Sequence, residues 1–142
     1  MNFQQYQEEA HSTAIYPDMI TLVLNRLLDA GLIERLDWST IDLNNHKKLC
    51  SISNNPYYPA LGLGGEVGEY QNKLKKVQRD HGGEITEEFK EFAKGELGDI
   101  LWYLSECASS LDLSLEEIAK ANIEKLASRK ERGKLQGEGD NR

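Results

Sequence analysis

Leu63, Val67, Tyr70, Leu74 and Val77 recur at alternating intervals of four and three residues, which sets them along one stripe of a helix. Leu97, Leu101, Leu104, Ala108 and Leu111 repeat the pattern further on. Each stripe is edged by two carboxylates three residues apart: Glu66 and Glu69 on the first, Glu96 and Asp99 on the second. Residues three apart on a helix point the same way, about one turn along. If the two helices pack antiparallel, four carboxylates converge beside a core. Four unpaired anions there repel strongly, and a hard divalent cation relieves the repulsion. Oxygen donors suit Mg2+, with Mn2+ as the alternative. Lys73 continues the first acidic row and Tyr103 the second.

The glycines argue in the same direction. Gly95 and Gly98 inside the second helix each cost roughly 1 kcal/mol relative to alanine. Close approach of a partner backbone beside Glu96 and Asp99 would account for them, as it would for Gly65 and Gly68 beside Glu66 and Glu69. The competing reading is an ordinary charged helix surface, because Glu-x-x-Glu pairs are frequent on exposed helices.

The chain of 142 residues is long enough for one domain with a core. Its net charge of -7 argues against nucleic acid as a partner, which needs a basic face. A nucleotide substrate stays open, since a cation and local basic side chains can offset phosphate charge. No apolar run is long enough for a bilayer and no signal-peptide pattern is present, so a cytoplasmic protein without a membrane partner is expected. Cys50 and Cys107 lie in no Cys-x-x-Cys motif and read as reduced thiols. His11, His46 and His81 are scattered, against a zinc site.

In chain order, a first helix is expected over 2–16, stopped by Pro17. Ile20, Val23, Leu24, Leu27 and Leu28 form a second amphipathic segment capped at Gly31. Residues 37–59 read as a long loop with at most a short helical turn. There Tyr57 and Tyr58 either wall a base pocket or strap the core. A third helix is expected from about Ala60 to Arg79, stopped by His81-Gly82-Gly83, and a fourth from an N-cap at Thr86 to about Ser110. Ser114 and Glu117 open a fifth as a capping box. Its apolar face, Leu115, Ile118, Ala119 and Leu126, includes Asn122, which if buried must be hydrogen-bonded to protein or ligand. Lys125, Arg129 and Arg132 continue that side as a basic row. The glycine-rich tail 133–142 reads as flexible, able to turn N–H groups toward an anion. The expected class is all-α, a bundle of four to five helices.

Gly65-Glu66-Val67-Gly68-Glu69, Glu96-Leu97-Gly98-Asp99-Ile100-Leu101-Trp102-Tyr103 and Ala121-Asn122-Ile123-Glu124-Lys125-Leu126 together resemble the MazG-type all-α nucleoside triphosphate pyrophosphohydrolases. The resemblance covers roughly residues 60–142. Residues 18–58 match nothing in that pattern and read as an insertion within a single domain spanning 1–142. The resemblance implies magnesium-dependent hydrolysis of a nucleoside or deoxynucleoside triphosphate to the monophosphate and pyrophosphate, by a homodimer or homotetramer. Under it, Glu66, Glu69, Glu96 and Asp99 hold the metal. The attacking water is activated by the metal or by a carboxylate such as Glu69, with Glu66 and Glu69 the catalytic pair. Lys73, Lys125, Arg129 and Arg132 oppose the phosphates, Tyr103 hydrogen-bonds one, and Asn122 positions a phosphate or the sugar. Trp102, on another side of its helix, is expected at a subunit interface. Two other readings compete: a nucleotide-binding module without turnover, and a helical interaction protein whose acidic rows are only surface.

Overall fold

The structure, a computed structural model, describes residues 1–32 and 54–136. Among the described residues five helices follow in order: α1 (Phe3–Ser12), α2 (Met19–Asp29), α3 (Tyr57–Asp80), α4 (Glu87–Ser109) and α5 (Leu115–Glu131). Among the described residues there is no strand, and the all-α bundle expected from the sequence is what forms. No helix among them is long and apolar enough to cross a membrane.

The helix ends follow local chemistry. Asn2 and Gln5 form a reciprocal capping box at the start of α1. The helix stops four residues short of the expected 16. Thr13 turns its hydroxyl onto the Ala10 carbonyl at 2.7 Å, competing with the next backbone bond. Asp18 caps α2 by accepting from the Thr21 N–H at 2.7 Å. Gly31, at φ +68°, ends it with bonds from Gly31 N–H to Leu28 and from Leu32 N–H to Leu27.

Helix α3 starts three residues earlier than expected. Pro56 and Pro59 read as loop residues, but Pro56 is the N-cap and Pro59 lies in the first turn, where a missing N–H breaks no helical bond. Asn55 supplies the cap, its Oδ1 accepting from the N–H groups of Tyr57 and Tyr58. Thr86 and Ser114 cap α4 and α5 as expected. The loop readings between 33 and 53, with His46 and Cys50, and those for 137–142 lie outside the described residues.

Helices α3 and α4 form the central antiparallel pair. Val77 packs with Phe89 and Ala93, and Tyr70 and Phe92 lean on that core. Lys73 lies over the Phe92 ring, 5.2 Å from its centroid. Further along the pair Glu66 meets Glu96, and at the far end Gly62 meets Tyr103. Helix α1 lies across α4 and α5. Gln7 donates to Ser109 Oγ and the Leu113 carbonyl and accepts from the Leu115 N–H, tying α1 to the α4–α5 corner. Trp102 Nε1 donates to Thr13 Oγ1 at 2.8 Å. That contact ties Trp102 to the C-cap of α1 in its own chain.

The α4 leucine stripe departs from expectation. Leu97 is 51% exposed, Leu104 40% and Leu111 58%. The acidic row of α4 therefore borders an apolar face that the described helices leave exposed, because α3 and α1 occupy the other two sides of the helix.

Candidate metal centre

Glu66 and Glu69 project from α3 and Glu96 from α4, and one carboxylate oxygen of each lies within 4.8 Å of the others. The i, i+3 spacing and the antiparallel register bring them together. Asp99 falls outside that trio and is exposed, but its charge acts on Glu66, Tyr103 and Tyr6. Burial first, then Asp99, Glu69 and Glu96, push the Glu66 carboxyl above the usual carboxylate range. Among the described residues no salt bridge reaches any of the four carboxylates. Glu96 Oε2 is buried without a hydrogen-bond partner. A buried carboxylate oxygen lacking a donor, beside two further carboxylates, is a donor set that a hard cation completes. The residues present fit a divalent ion of the magnesium type.

Tyr103 stands over this cluster. Burial, then Tyr58 and Glu66, raise its phenol above the ordinary value, so it remains a hydrogen-bond donor at neutral pH. The Tyr58 phenol acts on it, and the Tyr58 ring stacks on Tyr16 with centroids 4.7 Å apart and rings 15° from parallel. Tyr58 therefore straps α3 to the segment after α1, while Tyr57 is exposed.

Gly62 makes room for the Tyr103 ring: a Cβ there would lie 2.1 Å from its Cε1. By contrast a Cβ at Gly64, Gly65, Gly68, Gly95 or Gly98 meets nothing within 4 Å. Among the described residues the proposed close backbone approach at Gly65, Gly68, Gly95 and Gly98 is thus absent, and the glycine sterically required among these is Gly62. The expected outcome is that Gly62→Ala destabilises the fold by about 1–3 kcal/mol through overpacking. Gly64→Ala should stabilise it by up to about 1 kcal/mol through helix propensity. Urea unfolding of the two variants checks the contrast.

The remaining sequence-derived candidates are spread more widely. Lys73 is exposed and turned to Phe92. Asn122, expected on a buried face, is exposed along with Lys125 and Arg132, because α5 buries only its ends at Leu115 and Arg129. Arg132 Nε donates to Ser128 Oγ at 3.3 Å.

One polar group escaped the sequence reading. Glu106 on α4 is fully buried; its Oε2 accepts from Tyr16 Oη and lies against His11 Nδ1, both at 3.1 Å. Burial and that carboxyl push the Tyr16 phenol well above its usual value, and they raise the Cys107 thiol as well, which makes Cys107 a poor nucleophile. The signal was in the spacing. Glu106 continues the row of Glu96, Asp99 and Tyr103 by three more residues.

Residues 59–133 match the family described as the MazG nucleotide pyrophosphohydrolase domain. Over 85 residues, 60% of this chain and 75% of the relative, the sequence is 48% identical to the "Gene 37 protein" of Mycobacterium phage L5. No solved structure gives a significant match.

Proposed function

The chain belongs to the MazG nucleotide pyrophosphohydrolase family, and from that premise we propose that it hydrolyses a nucleoside or deoxynucleoside triphosphate to the monophosphate and pyrophosphate with Mg2+ as cofactor. The observation that carries the reading is the convergence of Glu66, Glu69 and Glu96 around a buried, unpartnered Glu96 oxygen. These three carboxylates, with Asp99 beside them, would hold the ion. Bound there, a divalent cation supplies charge neutralisation to phosphate oxygens as a Lewis acid.

The chain's own groups do the rest. Glu69, the most exposed of the trio, is placed to take a proton from a water directed at the α-phosphorus. Tyr103, whose phenol feels the Glu66 charge, is the group assigned to donate a hydrogen bond to a phosphate. Lys73, Lys125, Arg129 and Arg132 are the cations assigned to the phosphates, and Asn122 to a phosphate or the sugar. Asn122, Lys125 and Arg132 are exposed on α5, and closing them over a triphosphate requires the ligand or a second copy to draw them in.

Incubation with each NTP and dNTP plus magnesium, with the products resolved, tests the reading. Monophosphate and pyrophosphate in equal amounts are expected. Orthophosphate without pyrophosphate, or binding without turnover, overturns it.

The same proposal includes a homodimer or homotetramer. Leu97 and Leu104 on α4, Leu111 just after it, and Ile123 and Leu126 on α5 are exposed, more apolar surface than a monomer ordinarily leaves in water. Light scattering should report at least twice the protomer mass, and Leu104→Glu should reduce it to the protomer.

A further inference from the structure

A cavity of about 350 Å³ opens between α2 and the first turns of α3, lined by Leu22, Val23, Arg26, Tyr57, Tyr58 and Leu61 among others. Resting on the pyrophosphohydrolase reading, we infer that this cavity receives the base of the triphosphate, and that its chemistry favours a 6-oxopurine, guanine or hypoxanthine, over adenine.

Position is the first argument. Tyr58 lines the cavity, and one turn further along α3 the Tyr103 ring packs against Gly62, between the cavity and Glu66. From Tyr58 to Glu66 is eight residues of α3, a rise of about 12 Å. That is the scale on which a nucleotide separates its ring from the phosphates that a metal bridges. The volume lies within the range of small-molecule pockets, and the walls are aromatic and aliphatic, as a flat heterocycle requires.

Charge is the second. The protein carries a net charge of -7, yet among the described lining residues the charged side chain is a cation, Arg26, with no carboxylate beside it. A guanidinium has five N–H donors in a planar fork and no acceptor. Among the described residues no salt bridge or side-chain hydrogen bond engages it. Asn55, the other polar group of the wall, is consumed: its Nδ2 donates to the Pro17 carbonyl and its Oδ1 caps α3. Recognition in the cavity therefore falls to a donor-only fork, and its matching edge is a pair of adjacent acceptors. Guanine and hypoxanthine offer O6 and N7; adenine puts an amino donor at position 6.

The third argument is where these residues lie in the chain. Arg26, Leu22, Val23, Tyr57 and Tyr58 all precede the segment 59–133 shared with the family, whereas the carboxylates lie inside it. Most of the cavity wall therefore comes from outside the shared segment, with Leu61 inside it.

Equilibrium binding in the presence of Mg2+ tests the inference, using uncleavable α,β-methylene triphosphates of deoxyguanosine, 7-deazadeoxyguanosine and deoxyadenosine, with inorganic tripolyphosphate as the baseless probe. The wild-type protein is expected to hold the guanine compound roughly tenfold or more tightly than the adenine or 7-deaza compounds. Arg26→Ala should bring the guanine compound down to the adenine level. Arg26→Lys should fail to restore it, because the fork and not the charge is required. Both should leave tripolyphosphate binding unchanged. Equal affinity for guanine and adenine, or an Arg26→Ala loss shared by tripolyphosphate, overturns the base assignment alone. Failure of tripolyphosphate to bind the wild-type protein overturns the phosphohydrolase reading, and the base assignment falls with it.

Discussion

Replacing Glu96 with glutamine is expected to remove turnover while raising the melting temperature of the metal-free protein. Three carboxylates within 4.8 Å of one another repel by about 1 kcal/mol per pair in water-like surroundings and by more where burial lowers the dielectric. The substitution keeps the shape of the side chain. It removes one charge and offers an amide that can donate to Glu66 or Glu69. A rise of roughly 2–5 °C in metal-free melting temperature follows. The same change removes an oxygen donor whose buried Oε2 no group of the described chain satisfies. Metal-dependent turnover should fall by roughly a hundred- to a thousandfold, and the upward shift of melting temperature with Mg2+ expected of the wild type should vanish. A pH series adds a second arm. The Glu66 carboxyl is raised above the ordinary carboxylate range by burial and by Asp99, Glu69 and Glu96. The folded state thus holds that proton more tightly than the unfolded chain, and the stabilisation it gives is lost as pH climbs from the ordinary to the raised value. Metal-free wild type should lose stability across that window, and Glu96→Gln should lose less. A variant that melts lower than wild type without metal, or one that retains full turnover, would remove the shared metal centre.

The approach of Glu66, Glu69 and Glu96 was legible from helical spacing, whereas Asp99, expected with them, falls outside the trio. Two side chains three residues apart must share a side, and an antiparallel pair leaves few places for the second two. What the spacing does not carry is which side of α4 meets which neighbour. The leucine stripe looked like the core face, since it is the most apolar, yet the chain's own contacts to α3 and α1 run through Phe89, Phe92, Tyr103, Trp102 and Glu106. An apolar stripe reports that something covers it and not whether the cover belongs to the same chain. The glycines carry a similar ambiguity. Gly62 sits among Gly64, Gly65 and Gly68 and is indistinguishable from them until the Tyr103 ring is placed against it from α4. Asn122 was misread for the same reason as the leucines: its face is apolar, but this protomer buries little of α5 between Leu115 and Arg129. The early start of α3 was hidden by two prolines whose effect depends on whether they stand in the first turn or the interior.

Glu106→Ala should be among the most destabilising single substitutions in the described chain, at about 3 kcal/mol in urea unfolding. The side chain is fully buried, so its removal leaves a cavity. Tyr16 Oη and His11 Nδ1 both lose the oxygen they share at 3.1 Å. The two partners do not weigh equally. The His11 side chain is 64% exposed and can turn to water, so His11→Ala should cost little. Tyr16 is held between Glu106 and the Tyr58 ring and cannot turn away. A paired measurement separates the volume lost from the hydrogen bond lost. Glu106→Met fills most of the space but orphans the Tyr16 hydroxyl, and should cost about 2 kcal/mol. Adding Tyr16→Phe removes the orphan, so the double variant should be more stable than Glu106→Met alone, although Tyr16→Phe by itself destabilises. That reversal of sign is the diagnostic outcome. If the two losses simply add, the buried pair is not what holds α1 against α4. If the sign reverses, the same contact is what fixes Tyr16 under Tyr58, and through it the tyrosine that overlooks the carboxylates.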